Sequence, residues 1–329
     1  MRETERKSER NGASERMRAT ESMKATESIR PPDRMRASVA ICTHNRASDV
    51  REALLSLAPQ RFGDSFEVIV VDNGSTDQTA QTVQEFGRTA SFPVHYVYEG
   101  RLGLSVARNR AIREAKGEFI LFLDDDAVAS PDWIGGIVSV FDKDPKIGCV
   151  GGRIEPAWEG EAPDWLPEEN RSLYTILDYS AEVREMRDSA MPYGANVAFR
   201  RSIFDSMAMF REDLGRVGSN LLSSEESELI ERIRGKYSVY YTPHASVLHK
   251  IPRSRMNRKW LLRRIYWQGV SRAVSSRSKA RVLAESLLKV PAFVLLSIPV
   301  LYDKRRVFRN VRRIVYNNGL ISGVLRTYQ

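Results

Sequence analysis

Residues 118–126 read EFILFLDDD. Five consecutive apolar side chains, Phe119 to Leu123, fit a strand buried on both faces that runs straight into Asp124, Asp125 and Asp126. Three carboxylates at a strand end are costly unless a cation sits beside them, and hard divalent cations take oxygen ligands. Alternate residues of an extended segment face the same way, so the spacing predicts Asp124 and Asp126 in one site and Asp125 turned elsewhere. The competing reading is that the triplet caps a helix near Pro131, because Asp is a good cap.

Working outward, the chain from Ser38 alternates short β-branched runs with amphipathic stretches, the pattern of βα units around a mostly parallel sheet. SVAICT (38–43) is the first strand. A helix capped near Ser48 or Asp49 follows it and carries Val50, Ala53, Leu54 and Leu57. FEVIVVD (66–72) is a second strand and ends, like the EFILFLDDD strand, in acid; NGSTD (73–77) is its turn, with Asp77 placed to cap the next helix. VHYVY (94–98) is a third strand, and GLSVARNRAIREAKG (103–117) a helix that Gly117 stops. Two strands that end in acid favour one shared polar cleft at the carboxyl edge of the sheet, where open α/β sheets bind ligands.

The 329-residue chain is 42% hydrophobic, which is ordinary for a folded protein. Its two cysteines, Cys42 and Cys149, each sit in an apolar run and read as buried thiols of a reducing compartment, not as a disulfide framework. Residues 1–36 alternate charge with Ser, Thr and Ala, repeat RATESM as KATES, and hold no apolar core of the signal-peptide type. They read as a disordered tail, with Met35 a natural start for the folded chain. The net charge of +9 fits nucleic acid, an anionic membrane or phosphorylated substrates alike. Its cationic excess lies after residue 250, in Arg255, Arg264, Arg305 and their neighbours.

Four motifs occur in an order that is specific: SVAICTHNR (38–46), VVDNGSTD (70–77), GLSVARN (103–109) and FLDDD (122–126). Downstream come PYGANVAFRRSIFD (192–205), SSEESEL (223–229) and VLHK (247–250). Together they resemble a family 2 glycosyltransferase with the GT-A nucleotide-sugar fold, over roughly residues 36 to 270. The resemblance implies an inverting, metal-dependent enzyme. Thr43, Asn45 and Arg46 would touch the nucleotide, Asp72 would hydrogen-bond the base, and Asn73, Gly103, Arg108 and Asp125 would complete the donor side. Asp124 would contact the ribose side, and Asp126 would bind Mg or Mn at the diphosphate, with His249 as a second ligand. Gly194, Ala195 and Asn196 would shape the acceptor side, with Trp165 stacking on a sugar or simply packing.

Displacement at the sugar needs one protein base to take the acceptor's proton. Glu226 is the candidate and Glu225 the fallback, although relatives usually carry aspartate at the Glu226 position. Taken without the resemblance, Glu225, Glu226 and Glu228 read as acids at a helix start favoured by the dipole. Arg108 reads equally as a solvated helix face, and His249 as a histidine at a strand end.

The expected organisation is therefore a tail (1–36), a GT-A domain (37–250, with a nucleotide half to about 127 and an acceptor half after it) and a basic helical region (251–329). In that last region RMNRKWLLRRIYWQGVSRA (255–273) reads as an interfacial amphipathic helix, with a helix packed back on the catalytic domain as the alternative. VPAFVLLSIPVLY (290–302) is too short to span a bilayer and holds Pro291 and Pro299. These readings imply a cytoplasmic protein, peripheral on the inner face of the cell membrane, that builds cell-surface polysaccharide or lipid-linked glycan from a nucleotide-diphosphate sugar. A GT-A protein that binds donor without catalysis, and a basic nucleic-acid-binding protein, are the alternatives; nothing here resembles a nucleic-acid recognition motif.

Overall fold

The computed structural model describes residues 35–218, 220–298 and 302–325. The expected tail up to residue 34 lies outside them. Arg36, counted with that tail, is instead buried, and its guanidinium pairs with Glu118, with Asp142 at 2.6 Å and with Asp64 at 3.7 Å.

Among the described residues nine strands form one sheet: β1 (Ala37–Thr43), β2 (Phe66–Asp72), β3 (Val94–Tyr98), β4 (Phe119–Leu123), β5 (Ala127–Ala129), β6 (Ile147–Trp158), β7 (Arg184–Glu185), β8 (Asn196–Arg200) and β9 (Ser238–Ile251). The order is β3-β2-β1-β4-β8-β6-β9-β5, with the short β7 also on β9. The β3-β2-β1-β4 half is parallel; β8 runs antiparallel between β4 and β6, and β9 is parallel to β6. The helices are α1 (Ala47–Leu57), α2 (Thr79–Gly87), α3 (Leu104–Glu114), α4 (Trp133–Phe141), α5 (Glu225–Ile233), α6 (Arg258–Ser275), α7 (Lys279–Leu295) and α8 (Lys304–Leu325).

The central strands are apolar throughout because both their faces are covered. Val39, Ile41, Phe119 and Leu121 pack under α1 and α4, while Ala40, Ile120 and Phe122 pack under α3 and α5. Each such Val, Ile or Leu contributes about 1.5–3 kcal/mol by burial, and truncating one to Ala costs about 2–5 kcal/mol. α1 starts at Ala47, ahead of the expected Ser48 or Asp49, because its cap comes from another loop. Asp77 Oδ2 accepts from the Ala47 N–H at 3.1 Å, while Asp77 Oδ1 accepts from the Thr79 N–H at 3.0 Å. One carboxylate thus caps both α1 and α2.

Register builds the polar edge. Thr43 pairs with Asp72 at the ends of β1 and β2, and Leu123 ends β4, so Asp124 emerges at the same edge. The short β5 then pairs antiparallel with β9, setting Ala127 opposite His249, and the Lys250 N–H donates to the Asp126 carbonyl at 2.9 Å. A histidine far along the chain is brought beside the triplet by that ladder. The triplet makes a turn between β4 and β5 and caps no helix.

The C-terminal helices correct one expectation. The interfacial face expected of 255–273 is occupied inside the protein: Leu261 and Ile265 of α6 bury against Leu173, Tyr174 and Ile251, with Trp260 packed on Tyr174. α6 and α8 then cross at Gly269 and Gly319, where a Cβ on either would overlap the carbonyl of Tyr316 or Tyr266. Pro291 does not break its helix and lies inside α7; Pro299 lies outside the described residues. No helix among the described residues is long and apolar enough to cross a membrane.

Candidate active site

A cleft of about 450 Å³ opens at the carboxyl edge of β1 and β4, and Thr43, Arg46, Asn73, Gly103, Arg108, Asp124, Asp125, Asp126, Gly194, Ala195, Glu225, Glu226 and His249 all line it. Residues as far apart as Thr43 and His249 converge there because β1, β4, the β5–β9 ladder and the starts of α3 and α5 all end on one side of the sheet.

At one end Asp124, Asp126 and His249 each offer a ligand atom within 4.8 Å of the others. His249 Nε2 is 3.3 Å from Asp126 Oδ1, and its Nδ1 is buried without a partner. Two carboxylates and an imidazole suit Mg or Mn, and the unmatched ring nitrogen leaves room for ligation, so the residues fit a divalent cation. Asp124, assigned by resemblance to the ribose side, is drawn into this trio. Asp125 is not turned out of the site: Arg46 Nη1 donates to Asp125 Oδ1 at 2.8 Å and to Asp126 Oδ2 at 2.9 Å. Burial raises Asp125 to about 7 against the pull of Arg46. Burial also acts to raise Asp126, but the His249 hydrogen bond and charge, with Arg46 and Arg255, outweigh it and hold Asp126 well below the usual carboxylate range.

Beside Asp124 stands Arg108, only 2% exposed. Its Nη1 lies 2.9 Å from both Glu225 Oε1 and Glu226 Oε1, and its Nη2 lies 3.5 Å from Asp124 Oδ1. Both glutamates do stand at the start of α5, as a dipole-favoured pair would, yet they face the cleft and not solvent. Their environments differ. Burial and the neighbouring Glu226 charge push Glu225 up to about 8, while Arg108 overcomes burial at Glu226 and lowers it. A pair of carboxyls driven apart in this way separates a proton holder from a base. Gly194 makes the packing possible, since a Cβ there would overlap Glu226 Oε1 and Arg108 Nη2.

The remaining expected residues act at a distance or elsewhere. Asp72 is buried at its strand end, where Oδ2 accepts from Tyr96 OH at 2.9 Å and Oδ1 from the Ser75 N–H at 2.8 Å. Asn45 Oδ1 accepts from the Thr76 N–H at 2.7 Å and organises the NGSTD turn. Asn73 ties two loops, accepting from the Gly103 N–H at 2.8 Å and donating to the Arg101 carbonyl at 2.7 Å. Asn196 and Trp165 are not brought into the cleft. Asn196 is fully buried, bonded to Trp133 Nε1 at 2.8 Å and to the carbonyls of Arg153 and Ala245. Trp165 packs on the cluster of Leu173, Tyr174, Ile251 and Leu261, with Arg258 over its ring. Sequence reasoning missed Arg216 and gave Arg255 and Arg264 to a basic tail; all three line the cleft. Cys42 and Cys149 are free thiols, and burial pushes Cys42 up to about 12.

Residues 38–207, more than half of the chain, match the model of glycosyl transferase family 2. The chain belongs to that family. It is therefore a glycosyltransferase, and its sheet and flanking helices are the GT-A fold. It is 29% identical over 246 residues to the glucosyl-dolichyl phosphate glucuronosyltransferase of Haloferax volcanii, covering 73% of this chain and 77% of that one. It is 24% identical to the succinoglycan biosynthesis protein ExoM of Rhizobium meliloti over 90% of this chain and 94% of that one. Among solved structures it resembles the mannosyltransferase PcManGT from Pyrobaculum calidifontis, in complex with GDP-Man and Mn2+, at a TM-score of 0.62 and 20% identity, covering 90% of this chain and 91% of that one. That likeness is one of fold.

Proposed function

We propose that this glycosyltransferase moves a sugar from a nucleoside-diphosphate donor to an acceptor hydroxyl with inversion at the anomeric carbon. The observation that carries the reading is the juxtaposition in one cleft of a metal-competent trio and a glutamate kept ionised by a buried arginine that also reaches Asp124. Asp126 and His249, with Asp124, would hold a divalent cation, which when bound would offset the charge of the departing diphosphate. Glu226 takes the acceptor hydroxyl proton on a carboxylate oxygen while the acceptor oxygen bonds to the anomeric carbon and the bond to the diphosphate breaks. Arg108 keeps Glu226 charged and aimed, and Glu225 shares Arg108 without competing as a second anion.

The PcManGT complex with GDP-Man and Mn2+ supports the donor class and the metal. The names of the two relatives, one acting on a glucosyl-dolichyl phosphate and one in succinoglycan biosynthesis, support a lipid-linked or surface-polysaccharide acceptor. A peripheral membrane site on the cytoplasmic face suits such an acceptor. Its contact surface is α7 and the segment after it. Seven of the twelve large exposed hydrophobic residues among the described residues lie between Leu287 and Tyr302, with Leu288 at 77% and Tyr302 at 84% exposure. Lys289 lies within that patch with Arg281 and Arg305 outside it, and although Arg281 and Lys289 share Glu285 the set is cationic on balance, which suits an anionic bilayer.

The test is turnover of a panel of nucleotide sugars with prenyl-phosphate glycans, followed by proton NMR of the new anomeric centre. Transfer with an inverted centre is expected. A retained configuration would exclude the single-base mechanism.

A further inference from the structure

Five arginines line the cleft, and two of them have no carboxylate partner. Arg46 is matched by Asp125 and Asp126, Arg108 by Glu225, Glu226 and Asp124, and Arg255 by Asp126 at 3.6 Å. Arg216, in the loop before α5, and Arg264, on α6, form no ion pair within 4.0 Å among the described residues. Yet Arg264 is held firmly. Its Nη1 donates to the Leu221 carbonyl at 3.0 Å and to Ser223 Oγ at 3.2 Å, and the Ser223 N–H is itself bound by Ser271 Oγ at 2.9 Å.

Such an arrangement is unfavourable while the cleft holds only water. Burial, then repulsion from Arg216, brings Arg264 down to about 10. Glu225 and Glu226 offset this only in part, and like charges held together in a buried site are relieved by a bound anion. The location says which anion. Arg264 grips Ser223 Oγ, three residues before Glu226 at the start of α5, whereas Arg255 reaches Asp126 at 3.6 Å. Arg255 therefore belongs with the metal-competent end, and Arg264 belongs with the base.

We propose that Arg216 and Arg264 form a subsite for an anionic group, a phosphate or a carboxylate, carried by the substrate beside Glu226 and distinct from the donor's diphosphate. The guanidinium fork matches either oxyanion through paired N–H donors. The proposal rests on the glycosyl-transfer reading for the place of the reacting sugar. Two sources supply this chemistry: the phosphate of a prenyl-phosphate-linked acceptor, or the carboxylate of a uronic acid on the donor.

Calorimetric titration of the full chain with Mn separates them. The probes are UDP and GDP, farnesyl phosphate, and UDP-glucuronate against UDP-glucose; the proteins are wild type, Arg216→Gln, Arg264→Gln and the double variant. If the anion is the acceptor's, the double variant loses farnesyl phosphate affinity at least tenfold. If it is the donor's, the double variant loses a wild-type preference for UDP-glucuronate over UDP-glucose. In both cases nucleoside diphosphate binding stays within twofold. Arg216→Gln alone carries the comparison should Arg264 variants fail to fold. Equal weakening of UDP or GDP would assign both arginines to the leaving group and overturn the proposal. So would a wild type that neither binds farnesyl phosphate nor prefers the uronate. Failure of wild type to bind any nucleoside diphosphate sinks the donor reading instead, while the farnesyl phosphate arm still reports on the subsite.

Discussion

Glu226 Oε1 accepts a hydrogen bond from Arg108 Nη1 at 2.9 Å, which ties the start of α5 to α3 across the cleft. Arg108 is buried and Glu226 retains 17% side-chain exposure, so the carboxylate is both fixed and reachable by substrate. Glu226→Gln keeps the shape and removes the basicity. Steady-state kinetics should show kcat lower by about 10²–10⁴-fold, with donor affinity by calorimetry changed little. Near-normal turnover would take the base role from Glu226, and a larger loss in Glu225→Gln would hand it to Glu225.

Arg108 is the one cation shared by Glu225, Glu226 and Asp124. Arg108→Met leaves the Glu226 carboxylate, only 17% exposed, without its cation, and breaking a buried pair in this way costs about 3–5 kcal/mol. Urea unfolding should register that loss. Stability within about 0.5 kcal/mol of wild type, the range of changes at unimportant surface sites, would show the cluster to be solvated.

Gly194 faces the same pair with no space for a methyl group. Gly194→Ala should displace Glu226, cutting kcat by at least an order of magnitude while destabilising the fold by about 1–3 kcal/mol, the usual range for overpacking. An alanine variant with wild-type kcat would mean that the pair tolerates displacement.

The protonation of Glu225 has a sign that can be measured. Its folded value near 8 stands above the ordinary 4.5, so between those pH values the folded state holds a proton that the unfolded chain has released. This contribution to stability is full below about pH 4.5 and is lost as pH rises through 8. Melting temperatures across that window should fall less steeply with pH in Glu225→Gln than in wild type. Parallel slopes would contradict the assignment.

The sheet was legible in the sequence wherever burial on both faces wrote a continuous apolar run, as in Phe119–Leu123 and Val68–Val71. The acid at those ends pointed to the cleft, and the SSEESEL resemblance pointed to glutamates that the structure brings to Arg108. What a linear reading does not carry is the pairing of distant strands. His249 reaches Asp126 because β5 takes its register from β9, and the sequence alone left His249 open between a ligand and a strand-end histidine. The C-terminal region was harder for the same reason. Trp260, Leu261 and Arg264 on one helix look like a lipid-facing face until Tyr174 and Ile251 supply the buried partners, and Arg264 then turns into the cleft. Asn196 was placed with the acceptor through the resemblance of PYGAN, and Gly194 and Ala195 do line the cleft, but the Asn196 amide is taken up by Trp133 and by the carbonyls of Arg153 and Ala245.

The apolar patch of α7 gives a surface prediction. Leu288→Asp with Leu295→Asp should reduce sedimentation with anionic vesicles severalfold, in a salt-sensitive manner, and leave nucleotide binding unchanged. Undiminished sedimentation would place the contact elsewhere, and loss of a dimer in the variant would assign the patch to a second copy of the chain.

The most direct measurement of the central claim is calorimetric titration of nucleoside-diphosphate sugars into the chain with and without Mn, alongside Asp126→Ala. A donor that binds with Mn, and weakly or not at all without it or in Asp126→Ala, is the predicted result. Binding that is indifferent to Mn and to Asp126, or no binding of any donor in the presence of Mn, would contradict the account.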